Sequence, residues 1–65
     1  LNLKNSAMNK FEIGNRVQQT EDKRVGTIVE FDAAYHPGRA RVKWANGNRS
    51  WMRLSVLRLI SREPA

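Results

Sequence analysis

Between residues 11 and 60, every stretch long enough for a helix is broken by a glycine, a proline or a strand-like alternation. Helical periodicity therefore finds no room, and β-strands become the expected regular structure. Phe11, Ile13 and Val17 open the pattern. Val25-Gly26-Thr27-Ile28-Val29-Glu30-Phe31 and Ala40-Arg41-Val42-Lys43-Trp44 continue it as β-branched and aromatic runs. Turn formers separate these runs: Gly14-Asn15, Glu21-Asp22-Lys23, His36-Pro37-Gly38 and Asn46-Gly47. The segment 54–60 is too short for more than a turn, so a 3₁₀ turn at Ser55-Val56-Leu57 is expected before a last short strand. Strands are predicted near 15–20, 24–32, 39–45, 48–54 and 58–61. Short antiparallel strands must hide their edges, and these do so most easily by curling into a small barrel. The fold class is all-β, five-stranded and antiparallel.

The predicted core comprises Val17, Val25, Phe31, Val42, Trp44, Met52, Leu54, Leu57 and either Ile28 or Val29. Which of the last two points inward depends on a bend expected at Gly26. Gly14 and Gly47 are read as turn residues.

A chain of 65 residues supports one domain. At this size only about 60% of the unfolded surface is buried, so the core is thin. The divisions expected are an arm over 1–10, the barrel over 11–61 and a tail over 62–65. Met8 is a candidate start of translation. There is no cysteine, which removes disulfides and thiolate chemistry and fits a reducing, cytoplasmic setting. His36 is the sole histidine and cannot by itself build a zinc site with the usual ligands. No cofactor or metal is implied. No apolar run is long enough to span a membrane, no export signal opens the chain, and no membrane partner is expected.

Charge is distributed unevenly. The net charge is +6, yet cations and acids balance through Asp32, while 33–62 carries seven cations and no acid. Such asymmetry suits a surface that faces polyanions; it also suits solubility alone.

Gly14-Asn15-Arg16-Val17, Val25-Gly26-Thr27-Ile28-Val29, Ala40-Arg41-Val42-Lys43-Trp44, Asn46-Gly47, Trp51 and Ser55-Val56-Leu57 together resemble SH3-like small barrels of the Tudor and KOW type. The resemblance runs from about Phe11 to Ile60 and implies the barrel, on which many functions occur. Tudor domains that read methyl-lysine use several aromatics at loop tips. Here there are Phe11, Phe31, Tyr35, Trp44 and Trp51, at least two of which must serve the core, so no complete cage is implied. More distantly, the chain is similar to type II dihydrofolate reductases, with a Gly-x-Arg-Val start, a Gly-x-Ile-Val second strand and a Leu-x-x-Ile end. Their Val-Gln-Ile-Tyr pore segment corresponds to Ser50-Trp51-Met52-Arg53. Glutamine and tyrosine are both missing from it, and that activity is not carried over.

No nucleophile–base–acid set or phosphate loop is present. His36 beside Pro37-Gly38 is read as a solvated turn residue, and Glu21-Asp22 beside Lys23-Arg24 as a charge-balanced loop. The chain is expected to bind and not to catalyse.

The informative segment is 39–53, where the hairpin register decides which side chains share a face. A two-residue type I′ turn at Asn46-Gly47 pairs Val42 with Trp51 and mixes charge with core. A three-residue loop with Gly47 left-handed pairs Arg41 with Trp51. One face then holds Ala40, Val42, Trp44, Met52 and Leu54, and the other holds Arg39, Arg41, Lys43, Arg49, Trp51 and Arg53. Only the second register separates apolar from charged residues, as a half-buried sheet requires. It creates a candidate nucleic-acid-binding ribbon in which cations neutralise phosphates and the indole stacks on a base. Alternatively, Trp51 closes one end of the barrel beneath arginine stems. The expected partner is nucleic acid, DNA or RNA, or an acidic protein surface, with homo-oligomer formation as a further route to stability.

Overall fold

The computed structural model describes residues 11–61. The arm expected over 1–10, with Met8 in it, and the tail expected over 62–65 lie outside the described residues. The elements are β1 (Arg16–Gln19), β2 (Val25–Glu30), β3 (Arg39–Trp44), β4 (Arg49–Arg53), a 3₁₀ turn (Leu54–Val56) and β5 (Leu57–Ser61). The expected all-β class and the turn before the last strand are both present. That turn begins one residue earlier than expected, because Leu57 already pairs with Gln19 as the first residue of β5.

All pairings are antiparallel, and the order is β4-β3-β2-β1-β5. Strands β1 to β4 follow one another as a meander, and β5 returns to pair with β1. The 3₁₀ turn links β4 directly to β5, but no ladder joins these two strands among the described residues. The hydrogen-bonded sheet therefore remains open where closure into a barrel was expected.

The sheet nevertheless wraps around one core. Val17 of β1, Ile28 of β2, Ala40 and Val42 of β3 are all 0% exposed, with Trp44 and Leu57 nearly so. Phe11, Met52, Leu54, Val56 and Leu59 pack against that cluster. No second layer exists among the described residues, so only a sheet coiled on itself buries these side chains. Register shifts between Arg16 and Val17 on β1 and between Ile28 and Glu30 on β2 supply the bending and extra twist this needs.

The structure settles one core position that the sequence leaves open and corrects two core expectations. Gly26 stays in register, opposite Val17 and Trp44, so the irregularity sits at Val29 and not at the glycine. Ile28 is consequently the inward residue, and Val29 is half-buried. Val25 shares the parity of Thr27, opposite to that of Gly26 and Ile28, and is only half-buried. Phe31 lies beyond the end of β2 and is 38% exposed. The strand ends earlier than expected and no longer directs that ring inward.

Two buried polar residues, Asn15 and Gln19, organise the chain around β1. Asn15 Oδ1 accepts the Glu12 N–H at 2.9 Å, and Gln19 Oε1 accepts the N–H groups of Glu21 and Asp22. Every buried side-chain nitrogen or oxygen among the described residues has a partner, as a stable interior demands.

Val42 lies at the middle of this packing, opposite Ile28 on one side and Ser50 on the other. Val42→Ala is expected to cost about 1–3 kcal/mol in a denaturant melt, through lost methyl burial and the residual cavity. A cost within the error of the melt would contradict the packing described.

Candidate nucleic-acid interface

The β3–β4 hairpin adopts the three-residue loop. The Trp44 carbonyl accepts the Gly47 N–H at 2.9 Å, and the Trp44 N–H donates to the Asn48 carbonyl at 2.8 Å. Gly47 has φ +91°, a left-handed conformation that glycine adopts without a Cβ penalty. Asn46 Oδ1 accepts the Asn48 N–H at 2.9 Å and holds the loop from within. The resulting register pairs Lys43 with Arg49, Val42 with Ser50, Arg41 with Trp51, Ala40 with Met52 and Arg39 with Arg53.

Side-chain alternation then sorts the ribbon into two faces. Ala40, Val42 and Trp44 are buried, with Ser50 and Met52 opposite the first two. Arg39, Arg41, Lys43, Arg49, Trp51 and Arg53 share the other face, as the favoured register requires. On that face Arg39 stands across from Arg53, and Lys43 across from Arg49. Like charges directly opposite destabilise a sheet, so fold stability gives no reason for this arrangement. The acid closest at hand is Glu30, whose Oε1 pairs with Arg41 Nη1 at 3.2 Å. Among the described residues Arg39, Lys43, Arg49 and Arg53 form no ion pair. Their charge is left for solvent or a ligand.

Trp51 is half-buried and stands outside the core cluster. Its ring stacks on His36, with centroids 3.9 Å apart and planes 8° from parallel. The Arg41 guanidinium lies 5.8 Å from the indole centroid, within cation–π range. Two expectations change here: His36 is not simply a solvated turn residue, and Trp51 is half-buried where the solvent face of the ribbon implied an exposed indole. The cause is the path of the β2–β3 loop. The Asp32 carbonyl accepts the His36 N–H at 2.6 Å, its Oδ1 accepts the Tyr35 N–H at 3.3 Å, and the His36 carbonyl accepts the Arg39 N–H at 3.2 Å. That folded loop carries the imidazole back over β4. The same stretch leaves Tyr35 82% exposed and Phe31 38% exposed. Sequence reasoning missed this cluster, although three ring side chains within a six-residue loop stretch (31–36) were a signal available to it.

The second tryptophan has a different task. Trp44 is 4% exposed, and its Nε1–H donates to Ser50 Oγ at 3.2 Å. The Arg24 guanidinium carbon sits 4.3 Å from its ring centroid, while Arg24 Nε donates to Asp22 Oδ2 at 2.6 Å. The Arg24 backbone N–H, assisted by its guanidinium, holds the exposed Asp22 carboxyl below the usual carboxylate range. Trp44 is thus committed to the core and capped by the chain's own cation.

Among the described residues no group of three or more His, Cys, Asp or Glu is placed to hold a metal, and no helix is long and apolar enough to cross a membrane. Comparison of the chain with protein-family models, curated proteins and solved structures gives no match. Its function must be read from its own residues.

Proposed function

We propose that this chain is an SH3-like small barrel of the Tudor/KOW kind that binds single-stranded nucleic acid, DNA or RNA, in the cytoplasm, without catalysing a reaction. The observation that carries this reading is the aromatic stack of Trp51 and His36 set within a ribbon of cations of which only Arg41 has an acidic partner among the described residues. Single-strand binders combine those two elements: a positive track for the backbone and rings on which bases stack. Lys43, Arg49 and Arg53 serve phosphates directly. Arg41 joins them by exchanging its half-exposed pair with Glu30, a contact of the kind worth little in water. A base extends the column on the outer face of the imidazole or takes its place on the indole.

A second reading, as a protein adaptor or a self-associating module, draws on the open edges of β4 and β5 and on exposed Ile13 and Ile60. Against it, the β4 edge carries Arg49 and Arg53, and charge on an edge strand opposes strand addition.

Trp51→Ala is expected to weaken binding to a short oligonucleotide by about 1–3 kcal/mol, the value of one base–aromatic stack, while the melt stays near wild type. Arg41→Glu with Arg49→Glu should weaken binding to every sequence alike, because phosphate contacts carry no sequence information. A variant lacking the Trp51 ring that binds unchanged, as read by fluorescence anisotropy, would remove the stacking half of the proposal.

A further inference from the structure

Beside the His36–Trp51 stack lies a cleft of about 170 Å³, lined by Phe31, Asp32, Ala33, His36, Gly38, Arg39 and Leu54. Its chemistry is divided. Phe31, Ala33 and Leu54 give apolar contact and His36 gives a ring. Asp32 and Arg39 give one acid and one base that form no ion pair with each other among the described residues. An ionised carboxylate only accepts hydrogen bonds, and a guanidinium only donates them. The cleft thus offers an acceptor and a donor around an apolar seat, next to the platform on which a strand would stack.

On the basis of the single-strand reading above, we infer that this cleft takes one unstacked base and that the base is guanine. Bases in single strands are recognised by stacking and by hydrogen bonds to their Watson–Crick edges. Guanine presents two adjacent donors on that edge, the ring N1–H and the exocyclic amino group, and an acceptor, O6, beside them. A carboxylate meets both donors with its two oxygens, and a guanidinium meets O6. Adenine and cytosine each offer the carboxylate a single exocyclic amino group, and thymine or uracil one ring N–H between two carbonyls that the carboxylate repels. Asp32 is held in place for this role: the Tyr35 N–H donates to its carboxylate Oδ1, and the His36 N–H anchors its backbone carbonyl. The Tyr35 bond occupies one lone pair of Oδ1 and leaves acceptor capacity on both oxygens.

The test uses the full chain and short oligothymidines carrying one central guanosine, inosine, adenosine or cytidine, compared by anisotropy at low salt. Guanosine should bind tighter than adenosine or cytidine by about 5- to 150-fold, the range of one bidentate base contact. Inosine, which keeps N1–H and O6 but lacks the amino group, should fall between. Asp32→Asn, which keeps an Oδ1 for the Tyr35 N–H but replaces the second acceptor by a donor, should bring guanosine down to the level of adenosine and cytidine. The inosine series needs no variant, so it decides the matter even where Asp32→Asn misfolds. Equal binding of all four centres would overturn the guanine assignment and leave the single-strand reading standing. No binding of any oligonucleotide would sink both.

Discussion

Gly26→Val is expected to leave no folded protein at room temperature. The position is central in the sheet, paired with Val17 on β1 and Trp44 on β3. A Cβ there would lie 2.6 Å from Val42 Cγ1, 2.7 Å from the Lys43 carbonyl oxygen and 2.9 Å from Trp44 Cε3. None of these can yield cheaply: the methyl and the indole belong to the core, and the oxygen is backbone of β3. Overpacking typically costs about 1–3 kcal/mol and occasionally more, and valine adds two methyls to the atom that already clashes. A single core of this size rarely supplies more than about 3–5 kcal/mol. Gly47 provides the contrast. A Cβ there meets nothing within 4 Å, and only its φ of +91° penalises a side chain, at about 1–2 kcal/mol. Gly47→Ala should therefore melt early but fold, whereas a cooperative, near-wild-type melt of Gly26→Val would contradict the close approach of β2 and β3.

The two tryptophans should separate by a comparable margin. Trp44→Ala removes a nearly buried indole from the central cluster, and such truncations cost about 3–5 kcal/mol. Circular dichroism should report a largely unfolded chain. Trp44→Phe keeps most of the ring contact and gives up the Nε1–H bond to Ser50; it should be destabilised by about 1 kcal/mol and remain folded. Trp51→Ala should fold, because its ring rests on His36 and Arg41 outside the core cluster. If the Trp51 variant unfolds while the Trp44 variant survives, the assignment of faces in the hairpin is reversed.

That assignment was legible in the sequence because only one hairpin register keeps the arginines and lysine of 39–53 away from Val42 and Trp44. Period-two alternation is a strong constraint wherever one face must be dry. It fails where the period is interrupted. The bulge at Val29 breaks the alternation on β2, which leaves the choice between Ile28 and Val29 open in the sequence, while Phe31 is exposed because β2 ends at Glu30, before reaching it. The His36–Trp51 contact was illegible for another reason. It joins a loop to a strand, and the loop's course depends on hydrogen bonds to Asp32 that no periodicity encodes. The polar interior positions Asn15 and Gln19 escaped notice likewise, because turn-capping side chains look like ordinary surface residues until the turn is folded.

The central claim, that the basic face exists for phosphates, is tested most directly by the salt dependence of binding to a short single strand. With four phosphate contacts, from Arg41, Lys43, Arg49 and Arg53, the logarithm of the binding constant should fall against the logarithm of salt with a slope of about −3, at about −0.7 per contact. Reversing Arg49 to Glu should make that slope shallower by roughly one contact. Binding that is absent at low salt, where attraction between charges is strongest, or whose slope is flat, would contradict the account and assign the face to a protein partner or to solubility.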